Sequence, residues 1–216
     1  MTIAIVDYGC GNLHSAAKAF ERAVAENGAR EEVRLTADPE VVRRAERVVL
    51  PGVGAFHECR TALANVPGRE EALVDHVQRK GQPFLGICVG MQLLATRGLE
   101  HQVSDGLNWI PGEVARISPV PETLKIPHMG WNSLRFLQPH PVLDQFTGGE
   151  DGVHAYFVHS YAFRAENRDD VAAETDYGGT ITAVVARGPV IGTQFHPEKS
   201  QKFGLLFLQS FLRWHP

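Results

Sequence analysis

The first half of the chain alternates short apolar segments with amphipathic helical segments, and this alternation constrains the fold more than any other feature. Residues 3–7 (IAIVD) are rich in β-branched side chains and predict a buried strand. The predicted elements of this half are strands at residues 3–7, 33–35, 48–50 and 83–87, and helices over residues 15–28, 70–80 and 88–97. Strands that alternate with helices through short turns predict an α/β fold with a mostly parallel sheet covered by helices.

The second half of the chain is rich in strands, and few helical patterns separate them. We predict strands at residues 114–117, 131–134, 155–161, 171–174, 181–186 and 190–195, and a closing helix over residues 202–214. Consecutive strands without helical crossovers favour an additional, partly antiparallel β section. The sequence contains no internal repeat, low-complexity segment or linker, so we expect residues 1–216 to form a single domain.

The composition is that of an ordinary globular protein. Of the 216 residues, 44% are hydrophobic and 21% are charged, so disorder is not expected. The net charge of −4 and the lack of a long basic run argue against a nucleic-acid partner. No apolar run approaches the roughly 20 residues of a membrane span, and residues 1–9 (MTIAIVDYG) do not resemble a signal peptide. We therefore expect a cytoplasmic location and no membrane partner.

The chain has three widely spaced cysteines, Cys10, Cys59 and Cys88. An odd number without a CxxC pair argues against a disulfide framework and against a zinc site, so we predict no metal and no cofactor. Cys59 lies in a polar stretch and is assigned no role. Cys10 lies in a turn that resembles a G-x-G nucleotide loop, but the third glycine is missing, and we interpret the turn as structural.

Residues 83–94 (PFLGICVGMQLL) carry the strongest chemical signal. An apolar strand enters the sequence Gly86-Ile-Cys88-Val-Gly90 and is followed by a helical pattern, which is the G-x-nucleophile-x-G elbow with cysteine as the nucleophile. Glycines are needed on both sides because a Cβ atom would clash in so tight a turn. The helix N-terminus that follows favours a thiolate, so we predict that Cys88 is a nucleophile.

A cysteine nucleophile usually needs a base, and the base needs a group that orients it. His196 is predicted to end the last strand, and Glu198 follows two positions later. Pro197 should hold this segment extended, which would place both side chains on one side, so Glu198 would orient His196 toward Cys88. Three other histidines occur in polar stretches and are expected to be exposed: His57, His76 and His101.

Two of these segments, GICVGMQLL and GTQFHPEKS, resemble the signatures of class I, or triad, glutamine amidotransferases. Four further segments are similar to the glutaminase subunits of imidazole glycerol phosphate synthases: VDYGCGNLHS, LPGVGAF, PHMGWNSL and FVHSY, at residues 6–15, 50–56, 127–134 and 157–161. The resemblance extends over nearly the whole chain, with the motifs in the order of that family. Cys10 departs from the pattern, since other residue types are common at this position.

The resemblance implies a Rossmann-like fold and a glutaminase that works through a glutamyl thioester. Cys88 would attack the side-chain carbonyl of L-glutamine, and His196 would give the departing ammonia its proton. Water activated by His196 would then release glutamate. The resemblance also implies a heterodimer with a (β/α)8-barrel synthase (cyclase) subunit. That subunit would use the ammonia to make imidazole glycerol phosphate and aminoimidazole carboxamide ribotide in histidine biosynthesis.

The resemblance further assigns individual positions. Those that correspond to glutamine contacts in the family are Gly52, Gln92, Glu100, Ser160 and Tyr161. Those that correspond to residues facing the synthase subunit are Trp131, Tyr156 and Lys199.

Attack on the carbonyl creates an oxyanion that needs backbone N–H donors. Val89, directly after the nucleophile, can supply one of them. Val53 is our candidate for the second, because it follows a strand predicted to end beside Cys88. Glycines on both sides of Val53 permit its peptide to rotate, and we hypothesise that its N–H turns into the site only when the liganded synthase subunit is bound.

Three other functions fit parts of the pattern. The chain could serve another synthase, such as the one that forms pyridoxal phosphate, although residues 6–15 and 127–134 argue against this. It could be a stand-alone γ-glutamyl hydrolase, which would be active without a partner. It could also be a non-catalytic scaffold, although no member of the predicted triad is missing.

Overall fold

The computed structural model describes residues 1–28, 30–121, 123–146 and 152–216 of the chain. The strands are β1 (Thr2–Val6), β2 (Glu32–Thr36), β3 (Arg47–Gly52), β4 (Phe84–Cys88), β5 (Arg97–Gly98), β6 (Ser104–Asp105), β7 (Gly112–Arg116), β8 (His128–Phe136), β9 (Val153–His159), β10 (Tyr161–Ala165), β11 (Val171–Asp176), β12 (Thr180–Arg187) and β13 (Val190–Thr193). The α-helices are α1 (Leu13–Glu26), α2 (Pro39–Arg44), α3 (Phe56–Ala64), α4 (Arg69–Val74), α5 (Val89–Gln92) and α6 (Gln201–Arg213). None of the described helices is long and apolar enough to cross a membrane.

Nine strands form the main sheet, in the order β2-β1-β3-β4-β13-β12-β11-β8-β9. The first five are paired in parallel, and the pairs from β13 to β9 are antiparallel. This confirms the predicted α/β fold, with a parallel sheet that continues into an antiparallel section. The junction is β13, which pairs in parallel with β4 and antiparallel with β12.

A smaller sheet of four strands has the order β10-β7-β5-β6. The single strand predicted at residues 155–161 is wrong, because the chain leaves the main sheet after β9 and enters the smaller sheet as β10. Ser160 lies at this crossing, and its carbonyl accepts a hydrogen bond from Ile117 N–H at 3.0 Å. The crossing places residues 158–161 above the carboxyl ends of the parallel strands, where α/β sheets bind their ligands.

The helix predicted over residues 88–97 is much shorter in the structure, where α5 ends at Gln92. The carbonyls of Leu93, Leu94 and Ala95, which a longer helix would use internally, accept hydrogen bonds from the returning segment 107–110. A local helix preference is overridden here by pairing with a distant segment. The helix predicted over residues 70–80 is α4 followed by a π-helical turn, Asp75–Arg79. The sequence patterns did not reveal α2 and α3.

Two long helices, α1 and α6, pack on each other beside the main sheet. Phe20 of α1 and Phe211 of α6 are fully buried and meet edge-to-face, with 6.1 Å between ring centroids. At its start, α6 lies against a 3-10 turn, Pro197–Lys199. A Cβ atom at Gly204 would lie 1.9 Å from the carbonyl oxygen of Pro197, so the helix can approach this turn only because residue 204 is glycine.

We predict that Gly204→Ala destabilises the protein. Alanine in place of an ordinary helical glycine stabilises by up to about 1 kcal/mol, whereas the clash with Pro197 should cost about 1–3 kcal/mol. Urea unfolding would measure the difference, with Lys202→Ala, at an exposed position of the same helix, as the matched control. A Gly204→Ala protein as stable as the parent would show that α6 can move away from the turn at no cost.

Candidate active site

Cys88 lies at a sharp turn between β4 and α5. Its backbone has φ 55° and ψ −111°, a conformation that non-glycine residues rarely adopt and that is concentrated at functional sites. A Cβ atom at Gly86 would lie 2.6 Å from the carbonyl oxygen of Gly90, and one at Gly90 would lie 1.8 Å from the carbonyl oxygen of Leu50. The two glycines that flank the cysteine are therefore required by packing, as the sequence predicts.

His196 and Glu198 come together as predicted, but for a different reason. The strand β13 ends at Thr193, not at His196, and Pro197 opens a 3-10 turn instead of an extended segment. Proline fits the first position of such a turn because it has no N–H to satisfy. The turn brings Nδ1 of His196 to 2.7 Å from Oε1 of Glu198, and both side chains are at most 4% exposed.

The electrostatic environment of His196 favours its charged form. Burial lowers its pKa, but interactions with the Cys88 sulfur and the Glu198 carboxylate outweigh burial and raise the pKa to about 10. At neutral pH the ring is therefore an imidazolium. Nδ1 is held by the carboxylate, and Nε2 is buried without a well-formed hydrogen bond to any described residue. Nε2 is thus the nitrogen that can exchange a proton with a bound molecule.

A cavity of about 260 Å³ opens onto Cys88 and His196. It lies at the edge where β3, β4 and β13 end, and in the sheet Gly52 is the direct neighbour of Cys88. The other residues that line it are Val53, Gly54, Val89, Gln92, Glu100, Pro127, Val158, His159, Ser160 and Tyr161. Its size suits a metabolite smaller than a drug-sized ligand.

Most residues that the sequence assigned to glutamine contacts or to the oxyanion site line this cavity. Gly52 does not line it but lies under it, because a Cβ atom there would lie 2.6 Å from the backbone nitrogen of Gly90. Glu100 is held in place by the N–H of Phe56 at the start of α3, which donates to its Oε2 at 2.8 Å. Gln92 is 3% exposed, and its amide nitrogen donates to the Tyr161 carbonyl at 3.0 Å.

A buried histidine pair beside the cavity was not predicted from the sequence. His128 of β8 and His159 of β9 are cross-strand neighbours, with 2.9 Å between Nδ1 of His128 and Nε2 of His159. Nδ1 of His159 lies 2.9 Å from the Tyr161 carbonyl, which can only accept, so this nitrogen carries a proton. In the neutral ring Nε2 is then an acceptor, and His128 must donate to it. Asn132 completes the chain by donating to Nε2 of His128 at 3.2 Å.

The residues predicted to face a partner form an exposed surface next to the site. Trp131 is 47% exposed and meets the ring of Tyr156 edge-to-face, with 6.0 Å between centroids. Nζ of Lys199 lies 5.8 Å from the centroid of the Tyr156 ring. Met129, which sequence reasoning missed, is 61% exposed on the same strand as Trp131. We call Met129, Trp131, Tyr156 and Lys199 the aromatic surface.

The backbone of Tyr156 connects the aromatic surface to His196. The Tyr156 carbonyl accepts from His196 N–H at 3.0 Å. Its own N–H donates to the Ser200 hydroxyl at 3.0 Å, and that hydroxyl donates to the His196 carbonyl at 2.7 Å. A displacement of Tyr156 would therefore reach His196 through direct hydrogen bonds.

One sequence-based expectation outside the cavity, an exposed His76, is wrong. His76 is fully buried, and Nε2 of its ring lies 3.0 Å from the Pro83 carbonyl. Cys59 is also fully buried, on α3, where its thiol donates to the Val53 carbonyl at 3.6 Å. Both residues lie in sequences that look polar because α3 and the π-helical turn expose their other faces to solvent. His57 and His101 are exposed as expected.

A larger cavity, of about 470 Å³, lies where β10, β11 and β12 meet the end of β7. Its polar lining includes Arg116, Arg168 and Glu174, and the two guanidinium groups of Arg135 and Arg168 pair with Glu174. No cysteine or histidine lines it. Among the described residues, the smaller cavity at Cys88 combines a nucleophile with a base and is the candidate active site.

Comparison with known proteins agrees with this assignment. Residues 5–212 match the family model of class I glutamine amidotransferases. The chain is 58% identical to the imidazole glycerol phosphate synthase subunit HisH of Rhodopseudomonas palustris and 58% identical to the HisH subunit of Bradyrhizobium diazoefficiens, over the full length of both chains in each case. It is 56% identical, again over both full lengths, to the HisH subunit of Brucella melitensis.

Solved structures with low sequence identity share the fold. The glutaminase domain of CTPS from Trypanosoma brucei has a TM-score of 0.62 at 14% identity, covering 100% of this chain and 95% of its own. A glutamine amidotransferase from Thermotoga maritima has a TM-score of 0.63 at 17% identity, covering 98% of this chain and 96% of its own.

The histidine pair predicts an acid-sensitive stability. Burial lowers the pKa of His128 to about 4, and burial together with the neighbouring histidine lowers that of His159 to about 4. Unfolded histidines titrate near about 6.5, so the unfolded chain binds protons first as the pH falls. The contribution of this pair to the free energy of unfolding should therefore be fully present above about pH 6.5 and be lost toward pH 4, by about 1.4 kcal/mol per pH unit for each histidine.

Urea unfolding between pH 7 and pH 5 would test this expectation. His128→Gln removes one titrating group and should reduce the slope by about 1.4 kcal/mol per pH unit. His101→Gln, at a 79% exposed side chain, is the control and should leave the slope unchanged. Identical slopes for His128→Gln and the parent would contradict the assignment of a neutral buried pair.

Proposed function

The chain belongs to the class I glutamine amidotransferases, and we propose that it is the glutaminase subunit of an imidazole glycerol phosphate synthase, acting in histidine biosynthesis in the cytoplasm. The observation that carries the proposal is that Cys88 and His196 line one cavity, with Glu198 behind His196, in a chain that matches such subunits over its full length. The reaction is hydrolysis of L-glutamine to glutamate and ammonia.

The geometry supports a mechanism through a covalent thioester. The sulfur of Cys88 adds to the side-chain carbonyl carbon of glutamine, and the carbonyl electrons move to oxygen. When they return, the carbon–nitrogen bond breaks, and Nε2 of the His196 imidazolium protonates the leaving ammonia. The neutral imidazole then takes a proton from water, which attacks the thioester and releases glutamate. Glu198 holds the ring throughout by its 2.7 Å contact with Nδ1.

The oxyanion formed in this reaction requires backbone donors at the cavity wall. We assign Val89 N–H as one donor and Val53 N–H as the second, since both residues line the cavity beside Cys88. The Cys59 thiol holds the carbonyl of Val53, and Gly54 has φ 121°, which is open to glycine. The peptide between Gly52 and Val53 is then the segment that rotates its N–H into the site when the liganded synthase subunit binds.

The glutamine contacts follow from the cavity lining. Glu100 supplies a carboxylate for the α-ammonium group of glutamine. Ser160 and Tyr161 supply polar groups of the crossing between the two sheets, and Gly52 contributes from under the cavity, where it lets the elbow pack closely against β3. Gln92 uses both N–H bonds within the protein, one toward Tyr161 and one toward Gln194, which leaves its Oε1 to accept from the substrate.

The partner of this subunit is a (β/α)8-barrel synthase that forms a heterodimer with it and consumes the ammonia. We assign the aromatic surface as the docking site, because exposed Trp131 and Met129, with Tyr156 against Trp131, have the composition of an interface hot spot. The hydrogen bonds from Tyr156 to His196 and Ser200 offer a direct path from docking to the catalytic histidine. An exposed docking surface favours a subunit of a complex over a stand-alone hydrolase, which would need no partner.

We predict that Cys88→Ala abolishes glutamine-dependent synthesis by the complex but leaves ammonia-dependent synthesis intact. The substitution removes the nucleophile and leaves the synthase site untouched. The two activities would be measured with the same purified complex, and Cys10→Ala, at a cysteine that does not line the cavity, is the control. Glutaminase activity above a tenth of the parent rate in Cys88→Ala would exclude Cys88 as the nucleophile.

For the interface we predict that Trp131→Ala weakens binding of the synthase subunit by about 30-fold or more, since a tryptophan hot spot contributes about 2 kcal/mol or more. Val120→Ala, at a 74% exposed apolar side chain outside the aromatic surface, is the matched control. Isothermal titration would give both affinities. Equal affinities for the two variants would place the partner elsewhere.

A further inference from the structure

A second side chain besides His196 contacts the nucleophilic sulfur. The amide nitrogen of Gln194 lies 3.7 Å from Sγ of Cys88, on the segment between β13 and His196. Gln194 is fully buried, and its backbone N–H donates to the Ala183 carbonyl of β12 at 2.9 Å. We propose that Gln194 is a catalytic residue that donates an N–H hydrogen bond to the Cys88 thiolate.

The orientation of the Gln194 amide is fixed by its neighbours. The Tyr161 carbonyl can only accept, so the group of Gln92 that lies 3.0 Å from it must be the amide nitrogen. The same nitrogen lies 3.0 Å from the end of the Gln194 side chain, and the atom it meets there must be the acceptor Oε1. The Nε2 group of Gln194 then points to Cys88. The opposite orientation would bring two N–H groups together.

Further hydrogen bonds hold the Tyr161 carbonyl, the acceptor at the other end of this hydrogen-bond network. His159, supported by His128, donates to the same Tyr161 carbonyl at 2.9 Å, so the carbonyl receives two donors and cannot turn away. Among the described residues, the Nε2 group of Gln194 has one hydrogen-bond acceptor, the Cys88 sulfur. A buried amide hydrogen without an acceptor is costly, which makes the contact with sulfur a stable part of the site.

The contact can stabilise the reactive form of the cysteine. In the thiol form, the sulfur can donate to the Val158 carbonyl, which lies 4.0 Å away. In the thiolate form, it accepts from Gln194 on one side and meets the imidazolium of His196 on another. Hydrogen bonds to charged groups contribute more than those to neutral groups, so the Gln194 contact favours the thiolate. When the thioester is hydrolysed and glutamate leaves, the Cys88 thiolate forms again and can again accept the hydrogen bond from Gln194.

The role of this donor in glutamine hydrolysis rests on the proposed function, but the contact itself can be tested without glutamine. The rate of Cys88 alkylation by iodoacetamide, followed by peptide mass spectrometry as a function of pH, reports the thiolate. The titratable groups around Cys88 are Tyr8, Cys59, Glu100, His159, His196 and Glu198. All of them are unchanged in Gln194→Met, which removes the N–H without adding charge.

We expect the pH of half-maximal Cys88 alkylation to rise by about one to two units in Gln194→Met, which corresponds to a loss of about 10- to 100-fold in thiolate stability. Gln78→Met, at an exposed position, should match the parent. Glutaminase activity of the complex should fall together with thiolate stability. An alkylation profile of folded Gln194→Met that coincides with that of the parent would overturn the proposal. A parent protein that alkylates as expected but hydrolyses no glutamine would count against the proposed function alone.

A measurement on the unsubstituted Gln194 covers the case in which Gln194→Met does not fold. The side-chain amide protons of Gln194 can be followed by NMR in protein labelled with ¹⁵N-glutamine. The amide proton that faces the sulfur should move upfield in Cys88→Ala, while the second proton on the same nitrogen should move less. Unchanged shifts for both protons would overturn the proposal.

Discussion

The close contact between the turn at Cys88 and the end of β3 is the constraint on which the site depends. Gly90 lies so near the carbonyl of Leu50 that no side chain fits between them. This contact holds the cysteine in its unusual backbone conformation and fixes it beside Gly52 and Val53. The nucleophile and the loop that we assign to the oxyanion are therefore positioned by one packing contact between α5 and β3.

The Tyr161 carbonyl plays a similar role for the polar groups of the site. It receives hydrogen bonds from Gln92 and His159, and the order of donors and acceptors on both sides follows from the fact that a carbonyl can only accept. Because Tyr161 directly follows the crossing between the two sheets, the fold sets the direction of these hydrogen bonds. The parallel strands lead to Cys88 and His196, and the crossing provides the Tyr161 carbonyl that orients Gln92 and His159.

The sequence predicted what depends on local pattern and missed what depends on distant packing. The alternation of strands and helices, the elbow at Cys88 and the proximity of His196 to Glu198 could all be read from neighbouring residues. The early end of α5 could not be read, because the segment that takes over its carbonyls lies more than ten residues away. The His128–His159 pair was hidden for the same reason, since only the pairing of β8 with β9 brings the rings together. Pro197 was recognised as important, although it starts a turn and does not extend the chain.

The central claim is that Cys88 forms a covalent bond with the glutamyl group of the substrate. The measurement that tests it most directly is acid quenching of the complex with its synthase subunit during turnover of isotopically labelled glutamine, followed by peptide mass spectrometry. We predict a labelled glutamyl group on the peptide that contains Cys88, removable by hydroxylamine as a thioester. Label on the peptides of Cys10 or Cys59, or steady glutamine hydrolysis with no labelled cysteine, would contradict the account.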